Sequence, residues 1–113
     1  MFRLVSLNLN GIRSAANKGL LPWAEALSAD CMGVQELKAQ SADLTPALST
    51  IAGMPGQFHH AEKKGYSGVG LYSRHEPSDV VIGLGANDPS GEFDPEGRYV
   101  EMRFDKPGRK LSI

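Results

Sequence analysis

Apolar and polar positions along the chain form short segments of two kinds. Apolar or alternating runs predict strands at residues 2–7, 31–37, 57–63, 68–73, 79–84, 98–104 and 110–113. Apolar residues at helical spacing predict helices at 20–29 and 44–51, each with an early proline in its first turn. Residues 8–19 and 85–97 are rich in glycine and polar turn formers, so we expect loops there.

The order of these elements indicates the fold class. Strands and helices alternate at first, and a run of strands follows, which predicts an α/β (α+β) fold. We expect a mixed, mostly antiparallel sheet with its helices on one face. The 13 glycines and 7 prolines favour short elements and tight turns over a helical bundle. Trp23 is predicted to lie in the core on its helix, and Cys31 to be a small buried hydrophobe.

Composition and charge exclude several classes of protein. Hydrophobic residues make up 41% and charged residues 22% of the 113 residues, which is typical of a globular domain and not of a disordered chain. No apolar run is long enough to cross a bilayer. The single cysteine excludes an internal disulfide, and we expect a cytoplasmic protein with no secretory signal. Because the net charge is −1, any binding of nucleic acid requires a local cationic cluster.

Two motifs lie at the ends of the first two predicted strands. In residues 6–13 (SLNLNGIR), Asn8 and Asn10 share one side of an extended segment and could orient a phosphate or a metal-bound water. Arg13 adds a planar donor that suits phosphate. The alternative for this motif is an Asn-Gly hairpin turn. In residues 34–38 (VQELK), Glu36 is a natural Mg²⁺ ligand, and the alternative is a solvated glutamate paired with Lys38.

Two later segments carry cationic and aromatic residues. Residues 62–71 (EKKGYSGVGL) combine lysines, the turn glycine Gly65 and Tyr66, which could follow a nucleic-acid backbone or simply form a decorated hairpin. Arg98, after the glycine of residues 93–99 (FDPEGRY), could reach another loop or belong to an ordinary turn. The three histidines have no neighbouring Ser or Asp that would suggest a catalytic triad.

These motifs, in this order and spacing, resemble one family. Residues 7–13 (LNLNGIR), 35–38 (QELK), 64–74 (KGYSGVGLYSR) and 94–98 (DPEGR) resemble the N-terminal part of exodeoxyribonuclease III-type AP endonucleases, within the endonuclease/exonuclease/phosphatase superfamily. The resemblance runs from Phe2 to the last residue. One departure is Leu37, where many relatives carry threonine.

The resemblance implies a fold, an activity and a set of site residues. The fold would be the N-terminal half of a four-layer α/β sandwich of the DNase I-like type. The activity would be Mg²⁺- or Mn²⁺-dependent hydrolysis of double-stranded DNA at abasic sites and 3′ ends. Glu36 and Asn8 would form the metal site, Asn10 would lie beside them in the catalytic centre, and Lys38 and Arg98 would support it. Further residues would contact DNA phosphates, namely Arg13, Lys18, Gly65 and Tyr66.

Length is the main departure from the family, whose members are roughly twice as long. We therefore expect residues 1–113 to be an incomplete domain that lacks the family's later catalytic residues and is inactive alone. Its uncovered core would favour self-association, whereas the parent protein would be a monomer with no membrane association. Two alternatives remain: a noncatalytic binding or interaction module derived from this family, and another phosphoesterase of the same superfamily.

Overall fold

The structure is a computed structural model that describes residues 2–113, and this part of the chain forms two sheets and three short helices. The helices are α1 (Ile12–Asn17), α2 (Leu20–Leu27) and α3 (Pro46–Ser49). The strands are β1 (Leu4–Asn8), β2 (Cys31–Gln35), β3 (Thr50–Ile51), β4 (Met54–His59), β5 (Val69–Ser73), β6 (Asp79–Ile82), β7 (Val100–Lys106) and β8 (Arg109–Ser112).

The larger sheet contains both parallel and antiparallel pairs. Its order is β1-β2-β5-β4-β3, in which β1 and β2 run parallel and the other neighbours run antiparallel. The parallel register pairs Asn8 with Gln35, so both strands end at the same edge of the sheet. The smaller sheet, β6-β7-β8, is antiparallel throughout.

The core lies between the helices and one face of the larger sheet. Alternation along β1 turns Val5 and Leu7 toward this core, while Leu4 and Ser6 on the opposite side are exposed. The fully buried side chains include Ile12 of α1, Met32 of β2 and Tyr72 of β5. Tyr72 donates from its hydroxyl to the carbonyl of Leu48 over 2.6 Å, which ties α3 to the sheet.

The predicted fold class is confirmed, since a mixed, mostly antiparallel sheet carries its helices on one face. The prediction of a loop over residues 8–19 is wrong, because α1 occupies Ile12–Asn17. Ile12 has no exposed surface, and burial of its side chain stabilises a helix too short to persist on propensity alone.

Several element boundaries also differ from the sequence predictions. The strand predicted at 57–63 is β4 at Met54–His59, because Pro55 and Gly56 continue the strand and do not break it. Gly56 leaves needed space there, since a Cβ would lie 2.6 Å from the Phe58 ring and 2.8 Å from the ring of the fully buried Tyr72. The helix predicted at 44–51 is shorter and is followed by β3.

The predictions for Trp23 and Cys31 have opposite outcomes. Trp23 lies on α2 as predicted, but it is 45% exposed, so its assignment to the core is wrong. Cys31 is fully buried, as predicted, and burial raises the pKa of its thiol. Among residues 2–113, helix length and hydropathy give no candidate for a membrane-spanning helix.

Candidate active site

Asn8 and Glu36 meet where the two parallel strands end. Asn8 is the last residue of β1, and Glu36 follows the last residue of β2. The Asn8 side-chain amide donates to the Glu36 carboxylate. The backbone N–H of Asn10 donates to the Asn8 side-chain oxygen over 3.0 Å. This second bond fixes the orientation of the Asn8 amide, which therefore presents its NH₂ group to Glu36.

Lys38 completes the polar cluster. Its ammonium donates to the side-chain oxygen of Asn10 over 2.6 Å and lies 3.6 Å from a Glu36 carboxylate oxygen. The pairing of Glu36 with Lys38, predicted as the alternative for this motif, is thus present. It occurs within a four-residue constellation and not as an isolated surface pair, so the two interpretations are compatible.

Backbone strain is concentrated around this cluster. Four non-glycine residues here have positive φ: Asn10 (47°), Glu36 (54°), Lys38 (50°) and Ser67 (46°). Such conformations cost about 1–2 kcal/mol per residue and tend to occur at functional sites. Backbone hydrogen bonds hold them in place: Gly11 donates to the carbonyl of Glu36 over 2.8 Å, and Lys38 donates to the carbonyl of Ser67 over 2.8 Å.

The cluster opens into a cleft of about 710 Å³ that Gly65, Tyr66 and Arg98 also line. Arg98 donates to the Tyr66 hydroxyl over 3.0 Å. The Lys63 ammonium lies 5.4 Å from the centre of the Tyr66 ring. Tyr66 therefore makes cation–π contacts with Lys63 and Arg98, which hold its ring beside the cleft.

Gly97 explains how Arg98 reaches Tyr66. Its φ is 65°, and a Cβ on it would lie 2.4 Å from the backbone nitrogen of Ala61. The N–H of Glu62 donates to the carbonyl of Pro95 over 2.8 Å at the same contact. Only glycine permits this approach of two backbones. The contact brings Arg98 to the edge of the cleft, where a hydrogen-bonded ion pair with Glu96 raises the pKa of its guanidinium.

The two remaining predicted phosphate ligands lie beside the cluster. Lys18 lines an adjoining cleft of about 320 Å³ together with Asn8 and Asn10. Arg13 instead donates to the carbonyl of Lys38 over 2.9 Å and lies 3.6 Å from a carboxylate oxygen of Asp43. The structure therefore gathers the sequence-predicted residues into one region of the surface.

Sequence reasoning missed two aspartates that organise the loop before Arg98. The Asp94 carboxylate accepts the N–H groups of Leu84 (2.7 Å) and Gly85 (2.9 Å), which lowers its pKa. The Asp88 carboxylate accepts the N–H groups of Phe93 and Asp94. Aspartate among glycines is a turn signal, and it could have indicated a folded loop.

His75 also has a partner that sequence reasoning missed. Its Nε2 lies 2.8 Å from a carboxylate oxygen of Asp30, a residue distant in sequence. This pair lies beyond the β5 end that faces away from Glu36, since Ser73 pairs with Cys31 and Val69 pairs with Gln35.

The donor set is one that a hydrated divalent cation can use. Glu36 is a single carboxylate, 43% exposed, on the wall of the cleft. Within residues 2–113, no three His, Cys, Asp or Glu side chains come close enough to hold a metal. Mg²⁺ commonly uses one or two carboxylates and takes its other ligands from water and substrate phosphates. The residues present suit that mode and not a cage built from protein groups alone.

Comparison with known proteins identifies a family. The model of the endonuclease/exonuclease/phosphatase family matches residues 5–109. An exodeoxyribonuclease of Bacillus subtilis is 34% identical over 106 residues, which covers 91% of this chain and 38% of the relative. DNA repair nuclease APEX1 of Danio rerio is also 34% identical, and the match covers 90% of this chain and 32% of the relative.

Solved structures share the same fold. An AP endonuclease from Archaeoglobus fulgidus superimposes with a TM-score of 0.75 and 26% identity, over 99% of this chain and 40% of that one. The catalytic domain of APE2 from Xenopus laevis gives a TM-score of 0.75 at 23% identity, over 96% of this chain and 42% of that one. The chain thus spans less than half the length of the relatives it matches.

Proposed function

The chain belongs to the endonuclease/exonuclease/phosphatase family, and we propose that it contributes to a Mg²⁺-dependent nuclease that hydrolyses DNA at abasic sites and 3′ ends. The observation that carries the proposal is the constellation of Asn8, Glu36 and Lys38 at the ends of two parallel strands. Relatives at 34% identity are an exodeoxyribonuclease and a DNA repair nuclease, which supports DNA as the substrate.

Each residue of the cluster has a distinct part in this proposal. Glu36 holds the metal ion, and Asn8 orients the Glu36 carboxylate through its amide. Lys38 offsets negative charge and keeps Asn10 in place through their 2.6 Å hydrogen bond. When bound, Mg²⁺ would neutralise charge on a phosphate. Mn²⁺ could take its place, because it would use the same oxygen ligands.

The surrounding cations provide the local attraction that an overall charge of −1 does not. We propose that Lys18, on one side of the cluster, and the Gly65-Tyr66 turn, on the other, contact the DNA backbone. Arg98 supports Tyr66 through its hydrogen bond to the phenol oxygen. Phosphate contacts of this kind position the duplex and make affinity strongly dependent on salt.

We further propose that residues 1–113 bind DNA without cleaving it. Phosphodiester hydrolysis needs an activated water as well as charge stabilisation. Within residues 2–113 the cleft offers one carboxylate, Glu36, and Lys38 is already paired with it. None of the side chains of residues 2–113 that line the cleft is free to accept the proton of an attacking water.

Competition binding tests the substrate class. A labelled duplex with one abasic site is bound to the chain in Mg²⁺, and unlabelled duplex or an inositol phosphate is added as competitor. We expect duplex DNA to displace the label and the inositol phosphate to leave it bound. Equal displacement by both would contradict a DNA-directed site and favour another phosphoesterase.

An incision assay on the same duplex tests the second part. We expect no strand cleavage with Mg²⁺ or with EDTA. Mg²⁺-dependent cleavage that disappears in Glu36→Gln would show that these residues are sufficient for catalysis, contrary to our expectation. Cleavage that persists in Glu36→Gln would indicate a contaminating nuclease.

A further inference from the structure

Arg13 contacts the Glu36–Lys38 turn from α1. It belongs to the first turn of α1, next to the fully buried Ile12. One guanidinium nitrogen donates to the carbonyl of Lys38 over 2.9 Å, and another lies 3.6 Å from the Asp43 carboxylate. Two parts of the planar donor group are thus already engaged by protein atoms.

The pairing with Asp43 changes what Arg13 can do. The pair is exposed, with 56% of the Arg13 side chain and 36% of the Asp43 side chain accessible, so it is weak and acts mainly by directing the guanidinium. The bond to Lys38, by contrast, fixes a residue whose φ of 50° is strained and whose ammonium contacts both Asn10 and Glu36.

The contact continues beyond Asp43 to the other side of the cleft. The second oxygen of Asp43 accepts the backbone N–H of Gln40 over 2.8 Å. The Gln40 side chain donates to the carbonyl of Ala61 over 2.8 Å. Ala61 leads into the segment with Lys63 and Tyr66. Three consecutive contacts, beginning with the ion pair of Arg13 and Asp43, therefore connect α1 with this segment.

We propose that Arg13 is a positioning residue that holds the Glu36–Lys38 turn in its strained conformation. The role rests on the proposed function, because the turn matters for activity only if Glu36 binds the metal. Arg13 acts through the Lys38 carbonyl, and Asp43 keeps the guanidinium aimed at it. Lysine should fail to replace arginine, since a single ammonium cannot span both partners with the same geometry.

The test compares Arg13→Lys and Asp43→Asn with wild type and with Arg109→Lys. Arg109 lies exposed on β8, so this control makes the same chemical change far from the cleft. The first readout is amide hydrogen exchange at Ile12, which donates to the carbonyl of Leu37, and at Lys38, which donates to the carbonyl of Ser67. The second is the Mg²⁺ concentration that half-saturates the NMR shift of the Glu36 amide.

We expect protection of the Ile12 and Lys38 amides to fall about tenfold in Arg13→Lys and Asp43→Asn, and Mg²⁺ affinity to fall about tenfold with it. Losses of this size are typical when a residue that orients a metal ligand is removed. Arg109→Lys should match wild type in both. If Arg13→Lys keeps wild-type protection and wild-type Mg²⁺ affinity, the positioning role is overturned.

Failure of the proposed function gives a different pattern. The metal site is wrong if Mg²⁺ causes no NMR shift in wild type, or if it causes the same shift in Glu36→Gln. Hydrogen exchange still decides whether Arg13 holds the turn. Loss of exchange protection with unchanged Mg²⁺ affinity would make Arg13 a purely structural residue, and this result also contradicts the inference.

Discussion

At the residue scale, Glu101 shows how a carboxylate on the sheet can be saturated with donors. It accepts hydrogen bonds from the Ser112 hydroxyl, from the Tyr99 hydroxyl over 2.8 Å and from the Arg103 guanidinium over 3.2 Å. The Ser112 hydroxyl contributes most to lowering the pKa of Glu101, to about 2. These hydrogen bonds join β7 to β8, and they favour the ionised form of the Glu101 carboxylate.

The lowered pKa predicts a pH-dependent stability. In the unfolded chain Glu101 takes its ordinary pKa of 4.5, so its contribution is complete above that pH and is lost as pH falls toward 2. We expect Glu101→Gln to unfold at lower urea concentration than wild type at pH 7, with the difference shrinking between pH 4.5 and 2. The control is Glu92→Gln, at an exposed loop position. A difference that stays constant over this pH range would contradict the assignment.

The same scale shows what the sequence could and could not indicate about the site. Asn8 and Glu36 were predictable because each lies at the end of a strand-like run, and strand ends in α/β sheets commonly form sites. Asp43 and Asp94 were not, because their partners are distant along the chain: Arg13 for Asp43, and the Leu84 and Gly85 amides, ten and nine residues away, for Asp94. Local patterns identify residue types at strand ends, whereas contacts between loops depend on how the elements pack.

At the element scale, the loop from Gly83 to Gly97 is a folded unit. Asp94 and Asp88 accept its backbone N–H groups, and Gly97 presses against the backbone of His60 and Ala61. The turn-forming residues predicted this loop correctly but gave no sign of its docking. The helix α1 was missed for a related reason, since burial of Ile12 is what stabilises it.

Substitution of Gly97 by alanine tests the docking. A Cβ at this position would collide with backbone atoms, which adds about 1–3 kcal/mol of overpacking to the cost of positive φ. Gly108 is the matched control, because its φ of 75° is similar and a Cβ there would meet nothing within 4 Å. We expect Gly97→Ala to lower the free energy of unfolding by about 1–3 kcal/mol more than Gly108→Ala does. Equal losses in a urea titration would show that the close approach carries no energy.

At the scale of the whole molecule, the described chain is flat. Its extents are 39 × 39 × 20 Å and its radius of gyration is 14.1 Å, slightly above the roughly 13 Å expected for a compact domain of this length. Large apolar side chains remain exposed, among them Leu4 (53%) and Ile82 (50%). A flat molecule with uncovered apolar residues lowers its free energy by association.

We therefore expect the 113-residue chain to self-associate. Light scattering during size exclusion should give a mass that rises with loading concentration, and Leu4→Asn should reduce this rise because it removes exposed apolar surface. Lys64→Gln, at an exposed polar position, serves as the control. A constant monomer mass combined with cooperative unfolding would instead support the alternative of an independent, noncatalytic module.

The most direct test of the central claim is the effect of Mg²⁺ on binding of an abasic-site duplex by wild type and by Glu36→Gln. The amide introduced by this substitution retains an oxygen to accept the Asn8 amide but lacks the charge that holds a cation. The account predicts that Mg²⁺, compared with EDTA at equal ionic strength, tightens binding by wild type and leaves binding by the variant unchanged. An equal response of both proteins to Mg²⁺ would contradict the assignment of Glu36 as the metal ligand of a DNA-binding cleft.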